Sequence, residues 1–161
     1  FEETLRAGVL PLVAGLLADG IDVKIMTGDA KTAALKIADQ LGIADVRSDL
    51  KPEDKVEHLT NLKNEGRRVL MIGDGLNDAA ALNTAHVSIA PASALDCARA
   101  ASDIVLLGDD LRPVISAMKT SRAARRRIIE NFSIAIVYNL IAVPIALVGA
   151  ATPLIAALAM S

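Results

Sequence analysis

The 161-residue chain has no tryptophan, one tyrosine and two phenylalanines, so its 53% hydrophobic content is almost wholly aliphatic. A single cysteine, Cys97, excludes an internal disulfide and fits a reducing compartment; on a small-residue helix it reads as a packed thiol. The two histidines, His58 and His86, have no partner at metal-ligand spacing. A formal net charge of −2 gives no basic footprint for nucleic acid. There is no internal repeat and no low-complexity linker. The first residues, Phe1-Glu2-Glu3, lack a methionine or a signal peptide, and the chain is expected to start inside a longer protein. The sharpest absence comes late: after Glu130 there is no Asp, Glu, Lys or Arg. That break marks the main boundary expected in the chain.

Before the break, helical and strand patterns alternate. Leu5, Val9, Leu12, Val13, Leu16 and Leu17 recur at helical spacing, with Gly20 as a stop. Residues 21–26 read as a strand leading into Thr27-Gly28-Asp29. Helices are predicted over 30–41, ended by Gly42, and over 52–65, with Pro52 in the first turn and Gly66 as the stop. A buried strand at 68–72 runs into Gly73-Asp74-Gly75, and further strands at 86–89 and 104–107 flank a short helix near 94–101. This alternation predicts an α/β fold with a doubly wound parallel sheet. Residues 111–130 form one long helix rich in cations, which feeds into the uncharged run 132–148. With Ile128 and Ile129 this run is long enough to span a bilayer, a buried core helix being the alternative. The Arg125–Arg127 cluster places that end in the cytoplasm. The expected division is therefore a cytosolic domain over 1–127, a transmembrane helix over 128–149, and a turn plus the start of a second such helix over 150–161.

Three short motifs carry chemistry. Gly73-Asp74-Gly75-Leu76-Asn77-Asp78 follows an apolar strand. It lacks the third glycine of a dinucleotide loop, and paired carboxylates would repel a pyrophosphate. They suit Mg²⁺, a hard ion held by one or two carboxylates with phosphate and water; an Asp/Gly/Asn turn without function is the alternative. Thr27-Gly28-Asp29, between a strand and a helix start, offers a hydroxyl and backbone amides to phosphate, or else a turn with a helix cap. Lys55, near a helix start, is a cation able to balance phosphate charge or simply a solvated lysine. The ends of parallel strands meet on one edge of such a sheet, where ligands bind, so the three motifs are expected to converge on one phosphoryl group. Farther on, Tyr138-Asn139 lies mid-span and Met160-Ser161 lies in a second apolar run. Polar groups at that depth are costly and usually functional, with a structural hydrogen bond as the alternative. A thioether is a soft ligand that favours Cu(I).

The order of these motifs resembles the haloacid-dehalogenase-like phosphoryl-transfer fold. The wording of Thr27-Gly28-Asp29, Lys51-Pro52-Glu53-Asp54-Lys55, Gly73 to Asp78 and Ala101-Ser102-Asp103-Ile104-Val105-Leu106 resembles P-type ATPases. The resemblance implies a cation-translocating ATP hydrolase working through an aspartyl phosphate. In it Asp74 ligates Mg²⁺ and Asp78 supports the ion and its waters. Thr27, Gly28, Lys55 and Asn77 would hold the phosphoryl group, and Asp29 would organise the hinge side. The Asp-Lys-Thr-Gly segment with the phosphorylated Asp, its central strand and the domain that binds most of the ATP are expected upstream of Phe1. The fragment alone would then be inactive and its sheet incomplete.

Tyr138-Asn139 with Met160-Ser161 resembles the copper(I) branch of the heavy-metal pumps. The zinc/cadmium branch would place a Lys in the first helix and Asp-Gly in the second, and calcium or sodium pumps would show carboxylates. Expected partners are the transported ion, Cu(I), the bilayer of a bacterial inner membrane and a metallochaperone. A membrane-anchored phosphatase of the same fold, a Zn/Cd pump and an inactive fragment are the alternatives.

Overall fold

The computed structural model describes residues 5–149, and the chain divides into two compact units, Phe1–Ser116 and Ala117–Ser161. In the first unit the elements run α1 (Val9–Ala18), β1 (Lys24–Met26), α2 (Lys31–Leu41), β2 (Asp45–Arg47), α3 (Pro52–Asn64), β3 (Leu70–Ile72), α4 (Ala79–Thr84), β4 (Val87–Ala90), α5 (Asp96–Ala100) and β5 (Ile104–Val105). The last helix, α6 (Arg112–Leu147), begins in this unit and continues into the second.

Every strand pairs in parallel with its neighbour, as the alternating pattern predicted. The strands form two sheets rather than one: β1 pairs with β2, and β3, β4 and β5 follow in that order. Among the described residues β1 and β3 therefore each keep one edge without a strand partner. The two sheets share hydrophobic material all the same. Leu59, Met71, Ala81, Leu82, Ala90, Ala94 and Ala98 form a buried cluster, and Met26 of β1 packs against it beside Val56 and Val69. Four of the seven are alanines, small side chains that let helices and strands approach closely.

The expected helix stops are seen. Gly20, Gly42 and Gly66 all adopt left-handed backbone at φ +71°, +68° and +77°, a conformation open to glycine and costly to most residues. At the start of α3 the Asp54 carboxylate accepts from the Lys51 amide at 2.8 Å, and Pro52 takes the first turn. The strands are shorter than their apolar runs. Only Lys24–Met26 of the predicted 21–26 finds ladder partners, because β2 offers just three residues opposite them. Lys24 and Asp45 face one another in that register and form an ion pair.

The part of α6 in the second unit is exposed at nearly every position and has no buried residue. It carries a window of mean hydropathy 1.7 and is long and apolar enough to cross a membrane. Glu130 accepts from Arg126 at 2.8 Å and Arg127 at 3.0 Å, which neutralises the last acidic group before the uncharged run.

Candidate functional site

The strongest motif folds as a tight turn leaving β3. Gly73, Asp74 and Gly75 lead into a single 3-10 turn over Leu76–Asp78, from which α4 starts directly. This geometry depends on the two glycines. A Cβ on Gly73 would lie 3.0 Å from the Asp78 Cβ and 3.2 Å from its Oδ2, and one on Gly75 would lie 3.4 Å from the same oxygen. Their bareness lets the Asp78 carboxylate fold back over the turn, where Oδ2 accepts from the Gly75 amide at 3.3 Å.

The other oxygen of Asp78 binds Lys55. The distance from Lys55 Nζ to Asp78 Oδ1 is 2.6 Å, and the two side chains are only 9% and 15% exposed. Lys55 is thus not the solvated lysine of the alternative reading. It is a buried cation brought from α3 to the carboxyl end of β3. A charge this far from water persists only with a partner. Asn77, in the same turn, is exposed.

Thr27-Gly28-Asp29 leaves β1 as a local hydrogen-bonded loop. The Thr27 hydroxyl donates to Asp29 Oδ2 at 2.6 Å, and the Asp29 amide donates to Thr27 Oγ1 at 3.1 Å. The loop rests on the segment after β2. The Leu50 amide donates to the Thr27 carbonyl at 3.0 Å and the Asp49 amide to the Asp29 carbonyl at 2.9 Å. A Cβ at Gly28 would meet the Leu50 carbonyl at 3.2 Å, so this backbone approach is close. Asp29 is exposed and serves here as the acceptor that fixes the Thr27 hydroxyl.

Asp74 has a different partner, one that the sequence pattern does not suggest. Arg6 pairs with Asp74 Oδ2, donates to Ser93 Oγ at 2.8 Å and lies 3.7 Å from Asp109 Oδ1. Ser93 also binds Asp109; its side chain and its amide, the latter at 3.0 Å, hold that carboxyl below the usual carboxylate range. The Asp74 carbonyl accepts from the Leu95 amide at 3.1 Å, which fixes the backbone of the turn. Asp74 and Asp78 are therefore each matched by a cation of the chain, Arg6 and Lys55 respectively. Oxygen donors in a partly open turn at a strand end are the donor set that Mg²⁺ takes, and the residues present fit that ion. Among the described residues no group of three or more His, Cys, Asp or Glu side chains gathers at metal-binding distance.

Over residues 1–86 the chain matches the family described as haloacid dehalogenase-like hydrolase. The chain belongs to the haloacid dehalogenase-like hydrolases. Its relatives include proteins named as P-type ATPases, matched over 98–99% of this chain. It is 48% identical over 161 residues to "Nitrogen fixation protein FixI" of Rhizobium leguminosarum bv. viciae, covering 100% of this chain and 21% of the relative. It is 40% identical over 158 residues to "Probable copper-exporting P-type ATPase V" of Mycobacterium tuberculosis (strain ATCC 25618 / H37Rv), covering 98% of this chain and 20% of the relative. Among solved structures, a zinc-transporting PIB-type ATPase in the E2.Pi state matches with a TM-score of 0.87 at 34% identity, covering 97% of this chain and 26% of that one. The chain spans about a fifth of the length of the curated relatives it matches.

The expected transport residues are only partly in view. Tyr138 and Asn139 lie exposed on α6. Met160 and Ser161 lie outside the described residues.

Proposed function

We propose that this chain supplies half of the phosphoryl-transfer site of a heavy-metal P-type ATPase, together with membrane helices that carry the metal path. The observation that carries this reading is the buried Lys55–Asp78 pair at the carboxyl end of β3, at 2.6 Å, in a chain homologous to cation pumps over its whole length. Lys55 supplies positive charge where phosphoryl oxygens would lie. Thr27 and Gly28, at the end of β1, supply a hydroxyl and an amide, and Asn77 a side-chain amide from the exposed turn. Asp74 and Asp78 would hold Mg²⁺, which when bound neutralises charge on the transferred group. In the structure the Thr27 hydroxyl donates to Asp29, and it would turn from Asp29 to donate to a phosphoryl oxygen. The phosphorylated Asp, and most of the ATP site, belong to the upstream part of the pump.

Residues 1–127 are proposed as cytosolic and 128–149 as a membrane crossing; the turn and second helix expected over 150–161 lie outside the described residues. The cationic stretch ahead of the uncharged run supports that orientation. Cu(I) is the proposed cargo, carried by Tyr138, Asn139, Met160 and Ser161 and delivered by a metallochaperone at a bacterial inner membrane. The sulfur donor and the absence of charged residues after Glu130 support a soft monovalent ion. Zn²⁺ is the second reading, favoured by the likeness to the zinc-transporting structure. ATPase stimulation of the intact pump by Cu(I), Ag(I) and Zn(II), in the parent and in Asn139→Ala and Met160→Ala, separates the two. Cu(I) and Ag(I) should stimulate the parent, and both variants should lose that response. Stimulation by Zn(II) alone, or unchanged Cu(I) activation in both variants, rejects the copper assignment.

A further inference from the structure

The placement of Arg6 follows from how its segment is fastened. The Leu111 amide donates to the Ala7 carbonyl at 3.1 Å. Gly8 sits at φ +81°, where a Cβ would overlap Asp110 Oδ1 and lie 2.9 Å from the Arg112 amide nitrogen. Residues 6–8 are thereby held against the loop before α6, and the guanidinium is brought to Asp74. There it hydrogen-bonds Asp74 Oδ2 and, at 2.8 Å, Ser93 Oγ, and it lies 3.7 Å from Asp109 Oδ1. Mg²⁺ at Asp74 would bring a divalent charge beside a group that is always protonated. Two cations on one carboxylate repel each other, even where the ion takes the oxygen that Arg6 leaves open. Asp109 gives the guanidinium a second carboxylate within reach, with Ser93 between them as a shared hydrogen-bond partner.

We propose that Arg6 competes with Mg²⁺ for Asp74, holding that carboxylate while the ion is absent and moving onto Asp109 when it binds. The inference rests on the reading of Asp74 as a Mg²⁺ ligand. The side chains of Arg6, Asp74 and Asp109 are 36%, 48% and 58% exposed, so the competition is graded rather than a lock. It would set the ion concentration at which the site fills.

The test uses the intact pump in detergent, free of nucleotide and phosphate, with Mn²⁺ as the probe and the free-Mn²⁺ resonance as the readout. The relevant site is the one lost in Asp74→Asn. At that site Arg6→Gln should bind Mn²⁺ about 1.5- to 5-fold more tightly, the range that the coupling of a partly exposed ion pair corresponds to. Asp109→Asn should bind it more weakly, because Arg6 then has nowhere else to go. In the Arg6→Gln background the Asp109→Asn effect should vanish. Equal or weaker binding by Arg6→Gln overturns the competition, and an Asp109→Asn effect that persists without Arg6 overturns the transfer between carboxylates. Retention of every Mn²⁺ site in Asp74→Asn removes the magnesium reading itself, a failure distinct from the other two.

Discussion

At the scale of single residues, burial separates the groups that composition alone leaves equivalent. Lys55 is one of 17 basic residues, but it is 7% exposed and bound to Asp78. Removing one member of such a pair strands the other, at a cost of about 3–5 kcal/mol. Asp78→Ala should therefore loosen α3 and α4, and Lys55→Met should restore much of the loss in the double variant; amide exchange over residues 52–84 measures both. His58 is the second residue of this kind. Its Nε2 is buried without a hydrogen-bond partner, and its pKa lies below the ordinary histidine value through burial first, then the positive charges of Arg47 and Lys24. The folded state thus resists protonation more than the unfolded chain does. That contribution to stability is fully present above the unfolded value of about 6.5 and is lost as pH falls from there through the lower folded value. Exchange protection over β2 and α3 should drop on going from neutral pH to mild acid, and the part due to this group should disappear in His58→Gln.

At the scale of elements, the residues that stop or turn the backbone were the most legible. Gly20, Gly42 and Gly66 end α1, α2 and α3 as their spacing from the apolar pattern predicts. The strand leading into Gly73 is found too, though two residues shorter at its start. What escaped is β2, only Asp45-Val46-Arg47, because two charged residues in three hide a strand whose Asp45 is paired across the ladder with Lys24. α4 escaped as well, since its six residues follow the 3-10 turn with no cap or linker to announce them. At the site, the Thr27, Lys55 and Asp74–Asp78 motifs were legible as motifs. Their partners were not: Arg6 carries no local pattern, and its pairing with Asp74 depends on a fold that joins residues 68 apart in the chain. The turn glycines make a graded prediction. Gly73→Ala meets the Asp78 Cβ at 3.0 Å and should cost about 1–3 kcal/mol by overpacking. Gly75→Ala, with 3.4 Å to a side-chain oxygen, should cost less. Thermal unfolding of the two variants should rank them in that order.

At the scale of the whole molecule, the parallel α/β architecture was expected, whereas its division into two sheets is a finding of the structure. The edges of β1 and β3 that lack a strand partner among the described residues bear on the expectation that a strand carrying the phosphorylated Asp lies centrally in the fold. Unpaired edges are an aggregation liability, and a domain's total stability is only about 5–15 kcal/mol. Residues 1–127 expressed alone should unfold without a sharp transition, and fusing the Asp-Lys-Thr-Gly strand should restore one. A cooperative transition from the unfused segment would show that the strand belongs elsewhere. The central claim, that this chain holds the Mg²⁺ end of an aspartyl-phosphate site, is tested most directly by trapping acid-stable phosphoenzyme from labelled ATP in the intact pump. The parent should label in the presence of its transported metal and Mg²⁺, and Asp74→Ala should not label at all. Normal labelling of Asp74→Ala would contradict the account.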